Sequence, residues 1–380
     1  MKYLLLLLIV ANSALAGNEP PFSAYVRDTT DFKWKKQEST VAGKFQLEVT
    51  SQNWHGAVWT HTVNVIRPAK SIAPDLAVIF VNGGENLPQI AAQTGVACVS
   101  VGGIYPACHG QNGGEGIAIY ALQQSAKTGD PTWSISAATT KALVRTMDAL
   151  AASGEFKRFI LTGFSKMGLA SWWAAVMDER VVGIIPVGAD LLNTAAQINS
   201  HPNLLPQLGA NGATALEWVD PYLYRDKLRA AKLVISGTND EHFDVSSVAA
   251  FWDGLPEPKR HLHLANATHS LEPNNPRSIA ASVAFIRTLA AGETLPRIES
   301  EVSGTTLKVT SNPAAKSARL WTAAPTGEFK FAKWSDTPMA PASGAAFTGE
   351  FAKSTNGRVA VFAELEFDGY SLTTGIYVSP

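Results

Sequence analysis

Six strand-length segments, most of them apolar runs and each ending at a turn, constrain this chain more than any other feature. The first, residues 76–81 (LAVIFV), stops at Asn82-Gly83-Gly84. Residues 97–101 (ACVSV), 159–162 (FILT), 181–187 (VVGIIPV) and 233–236 (LVIS) repeat the pattern, and residues 261–264 (HLHL) read as a sixth strand in which histidine alternates with leucine. A run without polar alternation suits a strand covered on both faces, the condition of a parallel sheet. Helical patterns lie between the runs. Residues 137–152 place Ala142, Leu143, Thr146, Met147 and Leu150 at helical spacing, and residues 166–177 and 279–289 also read as helices. Strands alternating with helices predict right-handed βαβ units and a mostly parallel central sheet, hence an α/β fold. Residues 44–51 and 58–67 alternate apolar and polar, which predicts antiparallel strands at the amino-terminal edge.

The pattern changes after Pro296. Ser303-Gly304, Asn312-Pro313, Asn356-Gly357 and Asp368-Gly369 punctuate short alternating segments. They predict a small all-β, sandwich-like module over residues 296–380, leaving residues 17–295 to the α/β unit. At the other end, Lys2, an apolar run over residues 4–10 and Ala14-Leu15-Ala16 have the form of a secretory signal cleaved after Ala16. The run is far shorter than the roughly 20 residues of a membrane span. Position 17 is Gly rather than Cys, so no lipid anchor is expected. An exported protein, periplasmic or extracellular, follows. In such a compartment Cys98 and Cys108 are candidates for a disulfide.

The net charge of −1 gives no electrostatic footprint for nucleic acid or an anionic membrane. Neither a His-x-x-x-His nor a clustered cysteine pattern occurs, so neither metal nor cofactor is expected.

The most informative stretch is residues 158–168, RFILTGFSKMG. A serine stands between a buried strand and a helix, the setting of a nucleophile elbow. Small neighbours permit the strained turn, and the helix aims its free N–H groups at the site. The plain alternative is a serine that caps the helix. A nucleophilic serine needs a base and an orienting acid, since a neutral hydroxyl is a poor nucleophile. Asp240 follows the strand over residues 233–236, and His269 follows the strand over residues 261–264, in the order Ser, Asp, His. Asp190, Glu241 and Asp244 compete with Asp240 for the acid, Asp190 foremost. His261 and His263 read as structural, and His242 lies too close to the acid loop. The oxyanion hole needs two backbone donors. Lys166, directly after the serine, supplies one, and the loop at Gly83 and Gly84 the other, with Gly84 preferred.

The segment GFSKMGLASWWAAVMDERVVGIIPVGADLLN resembles the signature stretch of the PhoPQ-activated pathogenicity-related proteins. The likeness extends to VNGGEN, PTWSIS, DPYLYRDKL, KLVISGTNDEHF and ATHSL, and so over nearly all of the chain after residue 16. Members also carry Lys after the serine and a late glycine, as Lys166 and Gly168 do here. Met167, Phe164 and Leu169 depart from the usual Arg, small residue and Trp. The resemblance implies an α/β-hydrolase-like fold. Some members are linked to virulence regulation, and a secreted eukaryotic relative represses proliferation. The expectation is an exported serine hydrolase of ester or peptide bonds in small-molecule or peptide substrates, in which Lys166 also attracts acidic ones. A secreted binding or signalling protein on the same scaffold is the alternative.

Overall fold

The computed structural model describes residues 19–154, 156–197, 208–325, 327–353 and 358–379. The expected signal segment, residues 1–16, lies outside them. The strands are β1 (Lys33–Glu38), β2 (Lys44–Trp54), β3 (Ala57–Ile66), β4 (Leu76–Val81), β5 (Ala97–Val101), β6 (Arg158–Phe164), β7 (Val181–Val187), β8 (Ala231–Gly237) and β9 (Lys259–Leu264). They lie side by side in the order β1-β2-β3-β5-β4-β6-β7-β8-β9. The first pairings are antiparallel, and β5-β4-β6-β7-β8-β9 are mutually parallel. The apolar runs therefore form the parallel centre, and the alternating segments its amino-terminal edge.

Because side chains alternate along a strand, the sheet feeds two cores. Ala77, Ile79 and Val81 of β4 enter the core under the helices Ile135–Ala152 and Lys166–Met177. Leu76 and Val78 enter the opposite one, under the helices Leu87–Thr94 and Asn275–Ala290. The same alternation overturns the expected disulfide. Cys98 and Cys108 are both free thiols. Cys98 points from β5 into the second core beside Val78 and Ile160, whereas Cys108 packs against the first. The sheet stands between them, and burial pushes the Cys98 thiol up to about 12.

Nearly the whole surface of the helix Ile135–Ala152 is buried, not just one stripe. The segment around the helix Ser23–Arg27 covers its charged residues. Lys141 Nζ donates to Asp28 at 2.9 Å and lies 4.2 Å from the centre of the Tyr25 ring.

The carboxy-terminal strands are β10 (Arg297–Ser303), β11 (Thr306–Asn312), β12 (Ser317–Ala323), β13 (Ser335–Pro338), β14 (Ala340–Ala342), β15 (Ala346–Glu350), β16 (Ala360–Glu366), β17 (Ser371–Thr373) and β18 (Tyr377–Val378). β10-β11-β15-β14 form a separate four-stranded sheet. β17-β16-β12-β13 instead continue the central sheet, joined where Thr373 of β17 meets His261 of β9. Leu307, Val309, Leu320, Phe347 and Val361 from both layers share the second core. The region expected as a separate module thus shares both sheet and core with the α/β unit.

Candidate active site

β6 ends at Phe164 and the next helix begins at Lys166, so Ser165 alone makes the turn. Its backbone sits at φ 55° and ψ −126°. A non-glycine residue in such a conformation costs on the order of 1–3 kcal/mol and persists only where its surroundings over-determine it. They do so here. The Ser165 N–H donates to the Val187 carbonyl at 2.8 Å, and the Ser165 carbonyl accepts from Gly168 N–H at 2.8 Å. A Cβ on Gly163 would stand 2.5 Å from the Met167 carbonyl group. One on Gly168 would stand 2.5 Å from the Ala189 Cβ. The late glycine of the motif is therefore where the helix presses on the loop after β7.

His269 stands in the loop after β9. Its Nδ1 lies 2.7 Å from Asp240 Oδ2, in the loop after β8. With a carboxylate as acceptor, Nδ1 carries the hydrogen, which leaves Nε2 to accept a proton. The other oxygen of Asp240 accepts from the N–H groups of His242 at 2.7 Å and Phe243 at 3.0 Å. Asp240 is only 2% exposed, so these three bonds hold a buried carboxylate in one orientation. Burial pushes the His269 imidazole down. The hydrogen bond and charge of Asp240, with Glu241 and Asp190 beyond, outweigh that and raise it above its ordinary 6.5. The ring packs between Phe164 and His242, each with its centre 4.7 Å away. Gly188, at φ 53°, passes beside it, and a Cβ there would lie 3.3 Å from both Nδ1 and Cε1.

Ser165 and His269 line one cavity of about 900 Å³. Phe80, Val187, Phe243 and Leu271 give it apolar walls, and Lys166 and Glu115 contribute charged groups. Among the described residues Ser165 Oγ makes no hydrogen bond. The two residues share the cavity without a resting bond, a looseness common before substrate arrives. Asn82 and Gly83 also line it, whereas Gly84 lies in the adjoining groove with Glu85. Asn82 pins this loop, since its Oδ1 accepts from Ile104 N–H at 3.1 Å and its amide donates to the Ile104 carbonyl.

The rival acids are placed differently. Asp190 is 3% exposed and makes no bond to His269, and its Oδ1 is without a partner among the described residues. Burial pushes its carboxyl up to about 7. The Ser236 hydroxyl opposes this, while the Asp240 charge adds to it. Glu241 accepts from the His269 backbone N–H at 3.0 Å, and Asp244 accepts from Ser246 N–H at 3.0 Å. His261 and His263 are fully buried in β9, where burial keeps both imidazoles neutral. Asn239 lies one residue before the candidate acid and Asn266 three before the candidate base, and the local sequence carries no signal of the distant partners they find. No group of described residues has the makings of a metal site, and no described helix is long and apolar enough to cross a membrane.

A serine on a strained strand–helix turn, above a parallel sheet whose later loops carry an Asp–His pair, defines an α/β-hydrolase fold. Solved structures agree on that fold. An acetyl xylan esterase from Paenibacillus sp. R4 superposes with a TM-score of 0.54 at 15% identity, covering 72% of this chain and 96% of that one. Acetyl xylan esterase 1 from Thermoanaerobacterium sp. JW/SL YS485 gives 0.52 at 18% identity, covering 70% and 92%. The chain belongs to the PhoPQ-activated pathogenicity-related protein family, whose model matches residues 22–100, 112–211 and 206–330. Autocrine proliferation repressor protein A of Dictyostelium discoideum is 28% identical over 347 residues, which span 78% of this chain and 70% of that protein.

Proposed function

We propose that this protein is an exported serine hydrolase that cleaves ester or peptide bonds through an acyl-enzyme. The observation that carries the reading is the Asp240–His269 pair, 2.7 Å apart, opening on the same cavity as the strained Ser165. Ser165 Oγ attacks the substrate carbonyl while His269 Nε2 takes its proton and then returns it to the leaving group. Water repeats the sequence on the acyl-enzyme. Asp240 holds the imidazole tautomer and stabilises the imidazolium. The Lys166 N–H and an N–H of the Gly83-Gly84 loop receive the oxyanion, each worth about 100- to 1000-fold in rate. The acetyl xylan esterases that share the fold act on esters, which makes a neutral acetyl ester the first substrate to try.

A fluorophosphonate is expected to label the wild-type chain on Ser165, and Ser165→Ala to abolish the label while leaving the circular dichroism spectrum unchanged. A folded wild type that takes no label overturns the hydrolase reading. It would favour a secreted signalling role, the one suggested by the name of the Dictyostelium relative.

The raised imidazole sets the pH profile. His269 works as a base only when unprotonated, so kcat/KM is lost as pH falls through its pKa. With that pKa raised, the acidic limb is expected above pH 6.5. A limb below that value would mean that Asp240 does not support the base.

A further inference from the structure

The acid loop and the base loop are both tied to one short segment of the carboxy-terminal region, and the ties are asparagine side chains. Asn239, immediately before Asp240, donates its amide to the carbonyls of Lys330 at 3.1 Å and Ala332 at 2.7 Å. Asn266, three residues before His269, donates to the Trp334 carbonyl at 3.0 Å and accepts from Trp334 N–H at 2.8 Å. Four hydrogen bonds thus run from the two loops to residues 330–334. The loops are also fastened to each other. Thr238 Oγ1 accepts from Asn266 N–H at 2.8 Å, and Asn239 N–H donates to the Ala267 carbonyl at 2.9 Å. Apolar packing closes the same joint, where Val245 and Ala265 share a core with Phe329, Trp334 and Phe362.

Asparagine suits both places. Asn266 sits at φ 60°, a conformation Asn tolerates better than most residues, and its amide both donates and accepts. Ala332 and Trp334 are buried, so their backbone groups need protein partners, a need that does not by itself call for side chains from both loops. What the convergence does fix is the separation of Asp240 from His269, whose backbones are otherwise held by loops.

We propose that residues 330–334 act as a brace, and that Asn239 and Asn266 are positioning residues that hold the Asp240–His269 pair in register. Its bearing on catalysis rests on the hydrolase reading above, whereas its bearing on the imidazole does not. A loosened brace lets Asp240 drift from Nδ1. Base positioning then suffers, while the substrate walls stay in place.

The test uses the full chain carrying Asn239→Ala and Asn266→Gly, the glycine chosen because it accepts φ 60°. Histidine-selective labelling, with His269→Gln to assign the signal, follows the imidazole by NMR. The groups facing that ring are Asp240, Glu241, Asp190 and His242. The titration midpoint is expected to fall toward pH 6.5, and the low-field Nδ1 proton to broaden. For an acetyl ester, kcat is expected to fall by about 10- to 100-fold with KM within about twofold, the scale of a sub-ångström to 1 Å misplacement. Lys330→Ala, which keeps the accepting carbonyl, should change neither. Where the double variant fails to fold, Asn239→Ala alone is read for the same shift at smaller size. A folded variant with an unchanged His269 titration overturns the brace, whatever happens to activity. A shifted titration in a chain that never takes a fluorophosphonate supports the brace and sinks only the hydrolase reading.

Discussion

Asp240→Asn is expected to lower kcat by about 10⁴-fold with little change in KM, whereas Asp190→Asn leaves kcat within roughly tenfold. The two carboxyls are equally buried, at 2% and 3% exposure, so burial does not distinguish them. Their partners do. Asp240 receives two backbone N–H groups and the His269 Nδ1 hydrogen, all of which favour a fixed anion. An amide at that position would turn a donor toward Nδ1 and reverse the tautomer, so Nε2 would carry the hydrogen and face Ser165 as a donor. Asp190 faces the Ser236 hydroxyl with no backbone N–H donor among the described residues, and burial pushes its carboxyl up to about 7. An amide there replaces a group that is largely neutral below that pH. The stability signature has a definite sign. A carboxyl whose folded pKa is raised is best tolerated when protonated, so the wild type loses stability as pH rises from about 4 toward 7. The melting temperature of Asp190→Asn should therefore gain on the wild type across that interval. A larger loss of kcat in Asp190→Asn than in Asp240→Asn would make Asp190 the working acid.

The parallel centre was legible because strands buried on both faces have few polar residues, a signal that needs no knowledge of their neighbours. The serine turn was legible for the same reason: strand, serine and helix are consecutive, so the geometry is local. Loop order picks out Asp240 and His269 as candidates, and the structure places their side chains 2.7 Å apart. The chain kept back what depends on distant partners. Closeness in sequence suggested a Cys98–Cys108 bond, but side-chain alternation along β5 sends Cys98 to the far face of the sheet. The sequence shows the apolar stripe of the helix Ile135–Ala152, but the cover over Lys141 and Arg145 comes from Asp28 and its neighbours, more than 110 residues away. The change of pattern at Pro296 suggested a separate module, because pairing of β17 with β9 joins residues 373 and 261, which no local rule connects. Asn239 and Asn266 find their partners 91 and 68 residues downstream.

Gly237→Ala is expected to cost this chain both stability and rate. Gly237 ends β8, three residues before Asp240, and is buried with the rest of that strand. A Cβ there would stand 2.4 Å from the Ala267 carbonyl oxygen and 2.5 Å from that of Thr268. Both obstacles are backbone, so no rotamer change relieves the collision, and the base loop itself must move. Its movement stretches the bond from Asn239 N–H to the Ala267 carbonyl, 2.9 Å long, and carries His269 with it. Overpacking of this kind costs about 1–3 kcal/mol, with the broken backbone bond adding about 1 kcal/mol. For a chain of this size, with an unfolding entropy of about 2.1 cal/mol/K per residue, the melting temperature should fall by roughly 3–5 °C. The rate should fall further than the fold does, by about 100-fold, because the acid and the base are displaced relative to each other. Gly292→Ala is the matched control. Its φ of +71° makes alanine strained, but a Cβ there meets nothing within 4 Å, so it should cost about 1 kcal/mol and leave kcat alone. A Gly237→Ala chain that melts and labels like the wild type would mean that β8 and the base loop are not in backbone contact. The Asp240–His269 pair would then lose the support on which its geometry depends.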